Sequence, residues 1–536
     1  MKLTGTGAAE GIAIAKLWRL TTPDLSVEHV SGLDPEEQRV RFAAAKAQAD
    51  QELAALYAST QERDEEAAMI FDIHRMMLED LDFVEGVEAM LAEGDSAEWA
   101  VRETGELLRT MFLSIDDETM RARAADILDV SDRLVRILKG IEEHPMPQEQ
   151  VILCAEDLLP SQTVRLDKRY VVGCVTRGGS VTSHSVILAR SLGIGCIVAM
   201  GEQFDRLPAE GLAAMDGAAG ELVVDPSEEE LTAYRQKLAQ AEEQKTLLAQ
   251  YANRQAVTRS GHKCLVCANI GSVHDAQVAK AAGADGVGLF RSEFLYLESP
   301  DFPSEETQFQ AYKAVVELFA PAPVVVRTLD LGSDKQAPYF QIPDEENPAM
   351  GYRAIRICLD RPEIFRTQLR ALLRASSYGN LHIMLPMITG VSQVERAKAI
   401  LTQLEAELRG EGVEVAPYKL GIMIETPAAA VMSDVLAPMV DFFSVGTNDL
   451  TQYTMAADRM NPKVADIFNA RDPAVGRMIA MAAKSAHDAG IWIGVCGEAG
   501  ADTALTDFFM HNKIDELSVS CGSILKVRRA VCESEG

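Results

Sequence analysis

A chain of 536 residues with a formal net charge of −30 is too long for one hydrophobic core and too acidic to favour binding to a nucleic-acid backbone. Its 47% hydrophobic and 25% charged residues fit a soluble globular protein, and no stretch nears the roughly eighteen apolar residues of a membrane-spanning helix. The first residues lack the basic-then-apolar layout of a signal peptide, so a cytoplasmic protein without membrane insertion is expected.

Residues 1–20, MKLTGTGAAEGIAIAKLWRL, are Gly-rich with a short β-like run. From about residue 35 to 140 the texture is helical. PEEQRVRFAAAKAQADQELAALYAST, AAMIFDIHRMMLEDLDFVEGVEAML and AADILDVSDRLVRILKG carry apolar residues at three- and four-residue spacing with acidic outer faces. Pro145 and Pro147 punctuate its end. Residues 150–225 alternate short apolar runs (VILCA, VVGCV, CIVAM, ELVVD) with Gly turns, as in a compact α/β unit. Within it lies TRGGSVTSHSVILARSLGIG, residues 176–195, where Thr182 or Ser183 can cap a helix that begins at His184 and Gly193 can end it. His184 is either a reacting group on a positive helix N-terminus or an ordinary first-turn residue. The charged stretch PSEEELTAYRQKLAQAEEQKTLLAQYANRQ predicts a helix of about thirty residues, a connector or a plain surface helix.

From residue 261 eight near-continuous apolar runs alternate with helical stretches: CLVCANI, GVGLFR, VVVRTLD, HIMLPMI, LGIMIET, FFSVGTND, IWIGVCGE and LSVSCGS. This pattern predicts a (β/α)8 TIM barrel, with a doubly wound open sheet as competitor. Chemistry in such barrels sits at the C-terminal strand ends, which here carry Asn269, Arg291, Arg327, Glu425, Asn448, Asp449, Cys496 and Glu498. Arg353 and Arg459 lie in the connections after the third and sixth strands. Converging guanidiniums suit a polyanion, and two carboxylates suit a hard divalent cation that keeps waters and takes substrate oxygens. A thiol can donate a proton. Arginines, a cation and a proton donor around a small anion point to phosphoryl transfer with enolate chemistry. Cys264 and Cys267 form a CxxC, but on a strand positions three apart face opposite ways, so a zinc site is not expected.

These residues resemble Enzyme I of the phosphoenolpyruvate-dependent sugar phosphotransferase system. The likeness runs through GIAIAKL, FDIHRMMLEDLDF, RAADILDVSDRLVRILKG and TSHSVILARSLGI, then GADGVGLFRSEFLYL, VVVRTLDLGSDK, ENPAMGYRAIRI, IMIETPAA, DFFSVGTNDLTQYTMAADRMN and GVCGE. The resemblance implies a multidomain α/β protein: a swivelling phosphohistidine domain (1–32 and 143–225), an all-helical insert that binds the carrier protein HPr (33–142), a helical linker (226–260) and a phosphoenolpyruvate-binding barrel (261–536). It implies that His184 is the phosphorylated histidine, with Thr182 beside it in substrate binding. Arg291, Arg327, Arg353, Asn448 and Arg459 would hold phosphoenolpyruvate, Glu425 and Asp449 would ligate Mg2+, and Cys496 would protonate the enolate to pyruvate. Dimerisation through the barrel is implied as well.

The sequence departs from the family pattern in three places. The usual Gly-Gly-x-Thr-Ser-His is one residue longer here, which puts Ser180 at the second glycine and Val181 at a usually basic position; in DLGSDK, Ser333 stands where a second glycine is usual. The chain stops soon after the eighth strand, so a partial last covering helix and weaker dimerisation are expected. Related dikinases and synthases need a large ATP-binding domain, for which the sequence offers no candidate.

Overall fold

The computed structural model describes the chain apart from residues 21–23, 62–64, 115–117, 142–146, 157, 159–161, 163–166, 168, 181–185, 187–188, 190–192, 298, 300, 333–336, 338, 341 and 344, and apart from the side chains of 65–67, 114, 118–122 and 462. It divides into two compact units, Met1–Gln244 and Lys245–Gly536.

The first unit combines a sheet with a helical block. The sheet runs in the order β1-β8-β7-β3-β4-β5-β6-β2, with β1 Lys2–Thr4, β2 Thr6–Ala9, β3 Ile12–Arg19, β4 Val151–Ala155, β5 Val171–Thr176, β6 Gly195–Val198, β7 Leu212–Asp216 and β8 Glu221–Val224. Between β3 and β4 come five helices: α1 Pro35–Gln61, α2 Glu65–Leu78, α3 Leu81–Ala92, α4 Ala97–Ser114 and α5 Glu118–Leu138. Phe42, Leu53, Phe71, Phe83, Val87 and Leu134 form their shared core, the inward stripe of each amphipathic segment. Asp80 caps α3 by accepting from the Asp82 and Phe83 amides, which satisfies two donors that have no partner inside the helix.

After β8 the helix Glu228–Ala249 runs for 22 residues, shorter than the thirty read from the sequence. The chain turns at residues 250–254, where carbonyls that could have extended the helix bond elsewhere. Tyr251 and Ala252 give theirs to the Arg528 guanidinium.

The second unit is a closed parallel barrel of eight strands, β9 Leu265–Ile270, β10 Val287–Arg291, β11 Pro323–Arg327, β12 Asn380–Leu385, β13 Lys419–Ile424, β14 Phe442–Val445, β15 Trp492–Val495 and β16 Glu516–Val519, with β16 pairing back onto β9. The near-continuous apolar runs arise because each strand is covered on both faces. Leu289, Val325, Met384, Met423 and Phe442 fill the interior, with the Trp492 ring stacked on Phe442 at 4.5 Å. The outer faces meet helices such as Pro362–Ala375, whose Phe365, Leu369, Leu372 and Leu373 are buried. Cys264 and Cys267 are both buried, and no metal-holding cluster of three or more His, Cys, Asp or Glu occurs among the described residues.

A terminal helix, Ile524–Glu533, covers the last seam with Ile524, Val527 and Val531 buried. Its Arg528 is fully buried, pairs with Asp285 at 2.8 Å and donates to three backbone carbonyls, those of Tyr251, Ala252 and Gly283. Arg528→Ala therefore takes the paired charge from Asp285 and the side-chain donor from the Ala252 and Gly283 carbonyls, while the Tyr251 carbonyl keeps the Arg254 amide. It is expected to destabilise the second unit by about 3 kcal/mol, read by denaturant unfolding through Trp492 emission in a chain whose Trp18 and Trp99 are replaced by Phe.

Candidate active site

A cavity of about 380 Å³ opens at the C-terminal mouth of the barrel. Asn269, Arg291, Arg327, Asn448, Asp449, Arg459, Cys496 and Glu498 line it, together with Glu293 and Asp330. Of the strand ends read from the sequence, all but Glu425 converge on this lining.

Arg291 and Arg327 end β10 and β11 in direct register, so two like charges leave neighbouring strand ends. Like charges at that spacing repel unless acids or a bound anion compensate. Arg291 is exposed and rests over the Phe294 ring at 5.1 Å. Arg327 is buried between Glu293 and Asp330, its Nη1 lying 2.9 Å from Asp330 Oδ2. Burial alone would push this guanidinium down, and the two carboxylates more than reverse that, leaving it above the ordinary arginine value. Arg353 does not line the cavity. It is buried one step behind the wall and joins it through Asp330, which accepts from its Nη2 at 3.1 Å.

Glu425 follows β13 and is buried. Its Oε1 accepts from the Met387 amide, while Oε2 has no hydrogen-bond partner. Burial, reinforced by the nearby Asp449 and Asp330 charges, raises its carboxyl to about 8. Gly446 makes this approach feasible, since a Cβ there would lie 2.8 Å from Glu425 Oε2. Asp449 stands in the first turn of the helix Thr447–Met455, with Oδ2 3.6 Å from Arg459 and a buried, unpartnered Oδ1. Two buried carboxylate oxygens without donors fit a hard divalent cation that completes its shell with substrate oxygens and water.

Asn448 accepts from the Glu498 amide at 3.3 Å. Cys496 follows β15, its amide donating to the Val445 carbonyl at 3.0 Å. Burial raises its thiol to about 12, so it is protonated at neutral pH. His184 and Thr182 lie outside the described residues, as do Val181 and Ser333; Gly193, read as the helix stop, has the left-handed φ of +68° that such a stop uses.

Three family models match the chain in succession: the N-terminal domain of PEP-utilising enzymes over residues 4–123, their mobile domain over 147–220 and their PEP-binding domain over 245–535. A phosphoenolpyruvate-protein phosphotransferase of Priestia megaterium is 43% identical over 99% of this chain and 93% of its own length. The chain belongs to the phosphoenolpyruvate-protein phosphotransferase family. A family member from Bacillus sp. (strain S) is 45% identical, with 98% of this chain and 92% of its own covered. A solution structure of Enzyme I (nEIt) is 31% identical over 45% of this chain and 99% of that one, with a TM-score of 0.41.

Within this phosphotransferase, sequence reasoning missed the acids that hold the arginines. Glu293 and Asp330 stand two and three residues beyond Arg291 and Arg327, charged positions next to otherwise aliphatic strands, and that was the available signal. Asn269 was visible as a strand end, but its partners were not.

Proposed function

We propose that the chain transfers the phosphoryl group of phosphoenolpyruvate to its own His184, releasing pyruvate, and then to a histidine of HPr, the first step of the bacterial sugar phosphotransferase system. The observation that carries this reading is the convergence of Arg291, Arg327 and Arg459 with Asp449 and Cys496 around one cavity, in a chain of this family.

The guanidiniums receive the phosphate and carboxylate of the substrate, with Arg353 reinforcing the wall and Asn448 completing it. An imidazole nitrogen of His184, with Thr182 beside it, attacks phosphorus, and the bond to the bridging oxygen breaks with its electrons on the enolate. The Cys496 thiol then gives its proton to the enolate carbon, forming pyruvate. A raised thiol keeps that proton available, and the buried thiolate left behind is unstable enough to be reprotonated before the next turnover. The metal is read as Mg2+, held by Glu425 and Asp449; it supplies positive charge where negative charge grows.

The domain roles belong to the same reading. Residues 1–32 with 143–225 carry the phosphohistidine, 33–142 dock HPr, 226–260 link the halves and 261–536 bind phosphoenolpyruvate. Met69 and Met76, one helical face of α2, and Leu107 and Met111, one face of α4, are exposed apolar residues on an acidic chain, suited to a basic carrier with an apolar patch. Exposed Val431, Met432, Val435 and Met481 favour a homodimer formed through the barrel unit. No helix of the described residues is long and apolar enough to cross a membrane, which accords with a cytoplasmic enzyme.

With labelled phosphoenolpyruvate and Mg2+, and without ATP, the chain is expected to gain one acid-labile, base-stable phosphate per molecule and to release pyruvate. Chelation should stop both. Label that persists in His184→Ala would overturn the assignment, as would a requirement for ATP.

A further inference from the structure

We infer that Asn269 is a positioning residue that fixes Cys496 at the mouth of the barrel, with Ser518 orienting it. This rests on the reading of Cys496 as the proton donor. β15 and β16 share a short ladder, whose register covers Gly494↔Glu516 and Val495↔Leu517. Cys496 comes one residue later, at the edge of the cavity. Its amide is held on the β14 side by the Val445 carbonyl at 3.0 Å. On the other side the hold comes from a side chain. Asn269, near the end of β9, donates from Nδ2 to the Cys496 carbonyl at 3.1 Å and to the Ser518 carbonyl at 3.2 Å. One side-chain amide therefore spans from β9 past β16 to the end of β15.

The orientation of that amide is itself enforced. Ser518 Oγ donates to Asn269 Oδ1 at 2.7 Å, so the oxygen faces the hydroxyl and both amide hydrogens face the two carbonyls. Aspartate has the same size but no donor, and it would set a carboxylate against two carbonyl oxygens. Glutamine is one methylene too long for the same three bonds. The arrangement is also placed for chemistry, since Asn269 and Cys496 both line the cavity. Proton transfer to carbon demands close alignment of donor and acceptor, and a misplacement of about 1 Å costs on the order of a hundredfold.

The test separates proton transfer from binding. In D2O with Mg2+, the full chain should exchange the methyl hydrogens of pyruvate through the enolate, the small thiolate fraction of Cys496 taking the proton and returning a deuteron, and NMR follows the exchange. Asn269→Ala, which removes the donor and adds no charge, is expected to slow this exchange about tenfold or more, with KM for phosphoenolpyruvate changed by less than about twofold. Ser518→Ala, which leaves the Asn269 amide in place but loosens it, should slow exchange by about threefold. On a Cys496→Ala background neither change should slow the residual exchange further, because residues that act through one group are not additive. Equal losses in exchange and in phosphoenolpyruvate binding, or losses that persist undiminished without Cys496, would assign Asn269 a merely structural role and overturn the inference. Wild-type exchange in Asn269→Ala and Ser518→Ala, with Cys496→Ala slow, sinks the inference alone. Wild-type exchange in Cys496→Ala removes the proton-donor reading and the inference with it.

Discussion

Asp330→Ala is expected to destabilise the barrel unit by about 3–5 kcal/mol and to remove phosphoenolpyruvate-dependent pyruvate release. Asp330 pairs with two buried guanidiniums, Arg327 at 2.9 Å and Arg353 at 3.1 Å. Removing one partner from a buried ion network leaves charge that has been desolvated but no longer compensated, which is the costly case. Arg327 retains Glu293, which limits the loss on its side. Asp330→Asn keeps the shape and should recover part of the stability. Its pyruvate release should remain low, because the asparagine amide turns a donor towards one of the guanidiniums. Urea unfolding and pyruvate release measured on the same preparations check both. An Asp330→Ala protein with wild-type stability would mean that the two arginines find other acceptors.

Glu516→Gln is expected to change the pH dependence of stability. Glu516 opens β16 inside the barrel, and Gly288 and Gly494 leave it room: a Cβ at Gly288 would stand 1.9 Å from its Oε1. Burial, and then the neighbouring Asp515, raises its carboxyl to about 8. The native state therefore holds this proton more tightly than the unfolded chain does. Its contribution is fully present below the ordinary glutamate value near 4.5, is lost as pH rises, and is gone above about 8. Relative to Glu516→Gln, the wild-type protein should lose on the order of 4 kcal/mol between pH 4.5 and 8, at 1.36 kcal/mol per unit. Denaturant unfolding of the two proteins across this range is the check. Parallel profiles would show that Glu516 ionises in the folded protein as freely as in the unfolded chain.

The sequence alone determined eight strands alternating with helices, because apolar runs buried on both faces leave a pattern that neighbouring residues carry by themselves; that they close into a barrel and not an open sheet was decided by β16 pairing with β9. It also placed several of the mouth's residues, since a strand end is a local position: Arg291 and Arg327 close β10 and β11, and Cys496 directly follows β15, whereas Glu293 and Asp330 were missed. It overestimated the connecting helix, whose end at Ala249 reflects a turn bound by Arg528, nearly 280 residues away in sequence. Tertiary structure decided the pairings within the site. Asp330 reaches both Arg327 and Arg353, Asp449 faces Arg459, and Asn269 spans two strands to Cys496. The acid–arginine pairings join residues within one or two loops, whereas the Asn269 contact depends on β16 closing against β9. A residue's type and spacing can place it at the rim, but the partners of Asn269 are set by barrel closure, which brings together segments more than 200 residues apart.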